Sequence, residues 1–212
     1  IRDLKHSDRE KGLVFAEGPL VAGRLVESRF PVRAVFGFGG RLQSFLEQYG
    51  ERLEAEGIPV YEISRAVMGE VAGYDMHRGL LVSADKPEPL SVEDVVADAR
   101  TLVILEGVGD HENIGSIFRN AAGMGVDGVL FGAATADPLY RRSVRGSLGH
   151  VLRTPVAHFG GTPTTWQREL AQLQEQGWWL VSLTPADDAV YLSEALNDHE
   201  RVAFLVGGEG PG

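Results

Sequence analysis

Cysteine is absent from the 212-residue sequence, which excludes disulfide bonds, thiolate zinc sites and cysteine nucleophiles together. Long apolar runs are missing too, since no stretch approaches the ~18 residues that a membrane-spanning helix needs. The histidines are scattered without the spacing of a metal site, so we expect no bound metal. The sequence also shows no basic-then-apolar leader. These absences lead us to expect a cytoplasmic protein that does not span a membrane.

Positive charge is also scarce, because 20 Lys and Arg residues stand against 30 Asp and Glu residues and leave a net charge of −10. A protein wrapped in nucleic acid would need clustered cations to contact the phosphates. One such cluster exists, since Arg141, Arg142 and Arg145 lie in a segment without acidic residues. Arg141 and Arg145 are one helical turn apart and share a helix face. The cluster has two interpretations, an RNA-backbone contact and a solvated helix surface.

Two regions of alternating strands and helices flank a proline-containing segment and predict a two-domain α/β protein. Pro87 and Pro89 favour an extended path, so we place a linker at residues 86–91. The first domain is predicted at residues 1–85 and the second at residues 92–212. For the first domain we predict helices at 17–28, 42–56 and 65–71, and strands at 32–36, 60–63 and 80–84.

The second region has the stronger pattern, because its strands are short and nearly continuously apolar, as at residues 102–105. Such strands are typical of a parallel sheet covered on both faces. Helix starts are predicted at Asp137-Pro138 and Thr162-Pro163, with Asp or Thr as N-cap and Pro at the first helical position. The other predicted elements are a helix at 113–124 and strands at 129–131, 156–159, 178–183 and 202–206.

The segment Glu106-Gly-Val-Gly-Asp-His-Glu-Asn-Ile-Gly-Ser-Ile-Phe-Arg119 runs from the carboxyl end of a predicted strand into a helix. That end of a parallel sheet is where ligands bind. The helix has apolar residues at the spacing of a buried stripe, namely Ile114, Ile117, Phe118 and Ala121. At about 100° per residue, a polar set falls on the opposite arc, namely Asn113, Ser116, Arg119 and Asn120. Either Asn113 and Arg119 carry chemistry, or they are an N-cap and a surface residue.

A glycine-rich loop, Gly207-Gly-Glu-Gly-Pro-Gly212, follows the last predicted strand and holds one carboxylate, Glu209. It lacks the Gly-Lys-Ser/Thr of a P-loop, and it is not a Gly-x-Gly-x-x-Gly fingerprint after a first strand. These absences disfavour a nucleotide-dependent oxidoreductase. Taken alone, the loop also fits an ordinary tight turn at the end of a strand.

Taken together, Asn113-x-Gly-x-x-x-Arg119 after one strand and the glycine-rich loop after another resemble the first two motifs of the SpoU/TrmH family of RNA ribose 2′-O-methyltransferases, in the SPOUT superfamily. The stretch Phe15-Ala-Glu-Gly-Pro-Leu-Val looks like the start of that family's substrate-binding domain. The stretch Met76-His-Arg-Gly-Leu-Leu-Val is similar to its His-Gln-Gly segment, with Arg78 in place of Gln. Arg145-Gly-Ser-Leu-Gly149 resembles the family's serine-containing turn. The resemblance therefore covers nearly the whole chain.

The resemblance implies an RNA substrate-binding domain at residues 1–85 and a parallel-sheet catalytic domain of the C-terminally trefoil-knotted SPOUT type at residues 92–212. The family's third motif is an Ile-Pro-Met strand followed by a Ser-Leu-Asn helix start. It does not occur before the sequence ends at Gly212, so we expect the knot segment to be missing from this sequence. The resemblance also implies S-adenosylmethionine as cofactor, RNA as partner and a homodimer as the assembly.

The resemblance assigns roles to single residues. Arg119 would bind the phosphate beside the reacting ribose, and in the family it is also proposed to help deprotonate the hydroxyl. Because an arginine is normally always charged, the phosphate role fits its chemistry better. Asn113 would orient Arg119 or the ribose, and Glu209 would organise the cofactor loop or position those partners. The expected cofactor-binding residues are Thr184, Gly207, Gly208 and Gly212.

The predicted function is therefore S-adenosylmethionine-dependent 2′-O-methylation of a ribose in RNA. Ribosomal RNA is favoured because a separate recognition domain precedes the catalytic one, and transfer RNA stays open as the substrate. A catalytically inactive RNA-binding or regulatory relative also stays open, because the chain is acidic and the third motif is absent.

Overall fold

The structure, a computed structural model, describes residues 12–72, 76, 79–196 and 199–208. Its contacts divide the chain into two compact units, Ile1–Glu88 with Pro138–Arg153, and Pro89–Asp137 with Thr154–Gly212. The arginine cluster, which sequence analysis placed in the second domain, packs with the first unit. No helix among the described residues is both long and apolar enough to cross a lipid bilayer.

The first unit is built on a four-stranded mixed sheet in the order β1-β4-β2-β3. Strand β4 is antiparallel to β1 and β2, whereas β2 and β3 are parallel. Its strands and helices along the chain are β1 (Leu13–Glu17), α1 (Pro19–Val26), β2 (Val32–Gly37), α2 (Gly39–Ala55), β3 (Val60–Glu62), α3 (Arg65–Ala72) and β4 (Leu80–Asp85).

Strand β1 was not predicted, because sequence analysis began a helix at residue 17. Gly18 separates the two elements with φ 80°, a left-handed value that suits glycine. Pro19 then occupies the start of α1, where its missing N–H costs no helical hydrogen bond. Val21 and Leu25 lie on the buried side of this helix.

The second unit contains a five-stranded parallel sheet in the order β7-β6-β5-β9-β8, which confirms the predicted parallel-sheet α/β architecture. The remaining elements in chain order are α4 (Val92–Val96), β5 (Thr101–Glu106), α5 (His111–Gly123), β6 (Gly128–Phe131), α6 (Arg141–Gly146), β7 (Val156–His158), α7 (Arg168–Glu175), β8 (Trp179–Ser182), α8 (Leu192–Ala195) and β9 (Val202–Gly207). Of these, α6 belongs to the first unit, together with a 3₁₀ helix at His150–Leu152.

Both helix starts predicted from a residue-proline pair were wrong. Tyr140 has extended backbone angles, φ −64° and ψ 142°, so α6 begins at Arg141 rather than at Pro138. Downstream, Thr162 and Thr165 form a side-chain-bonded turn, in which Thr165 Oγ1 accepts from the Thr162 N–H at 2.8 Å. The Thr162 carbonyl oxygen also accepts the N–H groups of Thr165 at 3.0 Å and Trp166 at 3.1 Å, so the chain forms turns here, and the regular helix α7 begins only at Arg168. Two short helices, α4 and α8, were not predicted.

Candidate functional site at the carboxyl edge of the parallel sheet

The strand order of the parallel sheet reverses between β5 and β9. From β5 the chain proceeds through β6 to β7, and it then crosses to β8 at the other edge and returns to β9 beside β5. Glu106 at the end of β5 is in register with Gly207 at the end of β9. The carboxyl end of such a switch point leaves a crevice where α/β proteins bind ligands.

A cavity of about 430 Å³ lies at this switch point. The loop Gly107–Asp110 after β5 lines one side, and Val206–Gly208 at the end of β9 lines another. Helix α5 supplies the side chains, namely Asn113, Ser116, Ile117 and Asn120. The structure thus brings together three of the predicted site residues, Asn113, Gly207 and Gly208. The volume lies within the range of ~300–1,000 Å³ that is typical of small-ligand sites.

Asp110 is the N-cap of α5, a role that sequence analysis considered for Asn113. Its Oδ1 accepts hydrogen bonds from the backbone N–H groups of Glu112 at 2.7 Å and Asn113 at 2.9 Å. The helix therefore begins at His111, two residues before the prediction, and the Asn113 side chain is not needed as the cap. The signal was present in the sequence, because Asp is among the preferred N-cap residues.

The two loops of the cavity touch through backbone atoms. A Cβ at Gly208 would collide with the carbonyl oxygen of Gly107, and Gly107 itself has φ +66°. A side chain at either position would force the loops apart or strain the backbone. Glycine here allows both close approach and a left-handed turn.

The arc of polar residues on α5 is arranged as its periodicity predicts, with one correction. Ile114, Phe118 and Ala121 are buried, and the four polar residues of the opposite arc are exposed. Ile117 is only half-buried and lines the cavity instead of the core. Arg119 is exposed, and it is not among the described residues that line the cavity. Its predicted role at the RNA stays a prediction.

Glu106 is held by a contact that sequence analysis did not find. Its Oε1 accepts the indole N–H of Trp166 at 3.0 Å and the amide N–H of Gln167 at 3.4 Å. Trp166 is buried and packs so closely on Gly132 that a Cβ there would meet its ring at 2.9 Å. The partners are sixty residues apart in sequence, and no local pattern connects them.

His158, at the end of β7, is a titratable group on the same edge of the sheet. Its ring lies against Phe131, with ring centroids 5.0 Å apart. Desolvation by the surrounding protein lowers the pKa of His158, and the negative charge of Asp137 partly opposes that shift. The neutral imidazole is therefore favoured in the folded chain.

The other predicted cofactor residues lie elsewhere or outside the described residues. Thr184 follows β8 and is exposed, and its Oγ1 accepts a hydrogen bond from the Ala186 N–H at 3.3 Å. It is not among the described residues lining the cavity. Glu209 and Gly212 fall outside the described residues, as does Arg78.

The structure divides the arginine cluster of α6. Arg141 Nε lies 3.3 Å from Glu17 Oε1 on β1, and the two side chains are only 19% and 3% exposed. Arg142 and Arg145 are exposed. Although Arg141 and Arg145 are one turn apart, they therefore do not form one solvated face, and Arg141 has its charge compensated inside the first unit.

Residues 100–212, just over half of the chain, match the SpoU rRNA Methylase family. An uncharacterized tRNA/rRNA methyltransferase of Mycobacterium tuberculosis is 49% identical over 220 residues, a match that covers 100% of this chain and 73% of the relative. The chain therefore belongs to the SpoU/TrmH family, and it is an RNA methyltransferase of that family.

Two further relatives agree with this assignment. A 23S rRNA (guanosine-2′-O-)-methyltransferase of Xanthomonas campestris is 32% identical over 190 residues, covering 85% of this chain and 73% of the relative. Among solved structures, the AdoMet-bound rRNA methyltransferase of Sinorhizobium meliloti superposes with a TM-score of 0.78 at 21% identity, covering 100% of this chain and 77% of that one. The latter likeness establishes that the two chains share an α/β fold.

Proposed function

We propose that the protein transfers a methyl group from S-adenosylmethionine to the 2′-hydroxyl of a ribose in ribosomal RNA. The observation that carries the proposal is the cavity at the β5/β9 switch point, which is lined by Asn113, Gly207 and Gly208. The named activity of the Xanthomonas relative, a guanosine-2′-O-methyltransferase of 23S rRNA, supports the same reaction.

The cavity suits S-adenosylmethionine in size and charge. No lysine or arginine occurs among its described lining residues, so a sulfonium cation would meet no like charge there. Asp110 is the one carboxylate in that lining, and Asn113, Ser116 and Asn120 offer neutral polar groups. The close approach of Gly107 and Gly208 lets backbone amides and carbonyls, rather than side chains, face the cofactor. When bound, the cofactor supplies an activated methyl group on sulfur.

Gly207 and Gly208 would hold the cofactor within the described part of the site. Thr184 and Gly212 complete the proposed set of cofactor-binding residues, and Glu209 would organise the cofactor loop or position Arg119 and Asn113. We also propose the trefoil knot and the homodimer of the family for this protein. The chemistry of the site thus depends on a loop whose second half follows Gly208.

On the RNA side, Arg119 would bind the phosphate next to the reacting ribose through its planar set of N–H donors. Its exposure on α5, on the same arc as Asn113, leaves it accessible to a polyanion. Asn113 would hydrogen-bond to the ribose or to Arg119 and so orient the hydroxyl for attack. Arg142 and Arg145 would contact the RNA backbone as exposed cations. Arg141 would support them indirectly, because its ion pair with Glu17 holds α6 on the sheet of the first unit.

Ribosomal RNA is proposed over transfer RNA because a substrate-recognition unit precedes the catalytic one and because of the Xanthomonas relative's activity. Transfer RNA is the second candidate, favoured by the broader name of the mycobacterial relative, a tRNA/rRNA methyltransferase. With either substrate, the proposed place of action is the cytoplasm. An inactive RNA-binding relative is the competing alternative.

The test is transfer of a labelled methyl group from S-adenosylmethionine to transcribed 23S ribosomal RNA and, separately, to transcribed transfer RNA. We expect transfer to the ribosomal RNA, and a loss of about 100-fold or more in Arg119→Ala, because one charge-stabilising donor is removed. The control is Arg168→Ala, an exposed arginine at the start of α7. S-adenosylmethionine binding without any transfer to either RNA would favour the inactive relative.

A further inference from the structure

A second and larger cavity, of about 880 Å³, lies in the first unit, between α1, α2 and the segment that follows the 3₁₀ helix. Its polar lining comes from Arg24 on α1, Arg153 after the 3₁₀ helix and several residues of α2. Those residues of α2 are Arg41, Ser44, Gln48 and Tyr49. We refer to this cavity as the α1/α2 groove. It contains none of the residues assigned to the methyl-transfer site.

The charge of the α1/α2 groove is opposite to that of the whole chain, whose net charge is −10. Three arginines line it, and its one acidic lining residue, Glu27, accepts a hydrogen bond from the Tyr49 hydroxyl at 2.8 Å. That carboxylate is therefore engaged by a neighbour within the groove. The balance leaves a local excess of positive charge, which favours an anionic ligand.

The wall of the groove is held in place by contacts within the unit. Arg24 Nη1 donates to the carbonyl oxygen of Leu148 at 2.7 Å, in a turn where Leu148 has φ 54° and Gly149 has φ 84°. A Cβ at Gly149 would meet Arg24 Cδ at 3.3 Å, so the turn packs closely against the arginine. One N–H of Arg24 is used for this anchor, which fixes its guanidinium before any ligand binds.

The length of the groove fits an extended polyanion better than a single phosphate. Arg41 and Tyr49 are eight residues apart on α2, which corresponds to about 12 Å along the helix axis. Arg41 lies near one end of this span. Arg153 lies near the other, where its charge opposes the rise in the pKa of Tyr49 that burial and Glu27 cause. Cations at both ends can contact two phosphates of one strand.

From these observations we infer that the α1/α2 groove binds the sugar-phosphate backbone of a substrate RNA strand, through Arg41 and Arg153, with Arg24 as a fixed wall. The inference rests on the proposed function, because RNA is the polyanion that an RNA methyltransferase must hold. It assigns to the first unit a defined RNA-contact surface that is separate from Arg119 and from α6.

The test uses the full chain and transcribed 23S ribosomal RNA. Binding is measured by filter retention at KCl concentrations from about 50 mM to about 200 mM. The Arg41→Gln, Arg153→Gln double variant removes both cations. We expect its affinity to fall by roughly ten-fold, and the slope of log K against log[salt] to become shallower by about 1.4, about 0.7 for each single-strand phosphate contact.

Arg33→Gln is the matched control, since Arg33 is an exposed arginine of the same unit that pairs with Asp85 on the sheet. It should leave both affinity and slope unchanged. An unchanged far-UV circular dichroism spectrum and an unchanged urea denaturation midpoint would show that the first unit of the double variant is folded. A double variant that binds RNA like the wild type, an equal loss in Arg33→Gln, or a wild-type chain that does not bind RNA would each overturn the inference.

The outcomes also separate this inference from the proposed function. If the wild type transfers methyl groups and the double variant binds RNA with wild-type slope, only the groove assignment fails. If no methyl transfer occurs but RNA binding depends on Arg41 and Arg153, the proposed function fails and the groove stands.

Discussion

At the scale of single residues, Asp110 and Asn113 have different roles at the start of α5. Asp110 caps α5 by accepting two backbone N–H groups, which frees the Asn113 side chain to face the cavity. The sequence pattern placed Asn113 on the correct arc of the helix. It could not decide between the cap and the cavity, because both roles suit an Asn at a helix start. That choice depends on where the loop after β5 turns.

Gly208 offers a direct test of the backbone packing at the cavity. In Gly208→Ala the new Cβ would collide with the Gly107 carbonyl oxygen, which is backbone and cannot rotate away. We expect the two loops to separate and the calorimetric affinity for S-adenosylmethionine to fall by roughly ten-fold or more, since ordered contacts on both loops are lost.

The control for this variant is Gly123→Ala at the end of α5, where a Cβ would meet nothing within 4 Å. It should bind S-adenosylmethionine with wild-type affinity. If Gly208→Ala binds equally well, the cavity does not depend on the contact between the two loops, and the proposed cofactor position is wrong.

At the scale of elements, regular alternation was easy to predict and irregular connections were not. Every strand of the parallel sheet was predicted, because each is an apolar run bounded by polar or glycine residues. The two residue-proline helix starts failed because Tyr140 is extended before α6, and because the chain after Thr162 forms turns before α7 begins at Arg168. Such local bonds depend on backbone angles that residue type alone does not determine.

The arginines of α6 were interpreted either as an RNA-backbone contact or as a solvated helix surface, and the structure gives Arg141 a different environment. Arg141 lies against the buried Glu17 of β1, which is 4% exposed. An isolated carboxylate at that position would be costly, so the ion pair secures α6 on the sheet of the first unit. No pattern within the sequence connects positions 17 and 141.

Substitution distinguishes these two roles of the cluster. We expect Arg141→Met to lower the free energy of unfolding by about 3 kcal/mol, because it leaves Glu17 buried without its cationic partner. Urea denaturation measures the loss. Arg142→Met and Arg145→Met should cost less than about 0.5 kcal/mol, as is usual for exposed positions. Equal stability of all three variants would contradict the structural role of Arg141.

At the scale of the whole molecule, the contacts divide the chain into two compact units, and the first unit includes a segment from the later part of the sequence. Residues Pro138–Arg153 leave the run of the second sheet and pack with the first unit. The sequence pattern predicted a single linker at residues 86–91, because a linear pattern cannot reveal a segment that returns to an earlier part of the chain. The sequence pattern likewise did not predict the contact between Glu106 and Trp166 or the α1/α2 groove.

Stability should depend on pH through His158. Partial desolvation by the surrounding protein lowers the pKa of His158 in the folded chain below the ordinary value of about 6.5. The unfolded chain therefore binds a proton more readily, so this contribution to stability is complete well above pH 6.5 and is lost as the pH falls towards the folded pKa. The loss is measured by thermal unfolding from about pH 8 to about pH 5, a range centred on the ordinary histidine pKa of about 6.5.

His158→Gln removes the titrating group, and its melting temperature should fall less over this pH range than that of the wild type. Carboxylates of the folded chain titrate in both proteins and cancel in the comparison. Parallel pH profiles for the two proteins would mean that His158 is not neutralised by its surroundings.

The central claim, that the protein methylates the ribose 2′-hydroxyl of ribosomal RNA, is tested most directly by the position of the transferred methyl group. Transcribed 23S ribosomal RNA is incubated with the full chain and methyl-labelled S-adenosylmethionine, and the RNA is then hydrolysed in alkali. A 2′-O-methyl group blocks attack of that oxygen on the adjacent phosphate. We therefore predict that the label is recovered in an alkali-resistant dinucleotide. Recovery of the label in mononucleotides, as expected for a methylated base, or the absence of any transfer would contradict the claim.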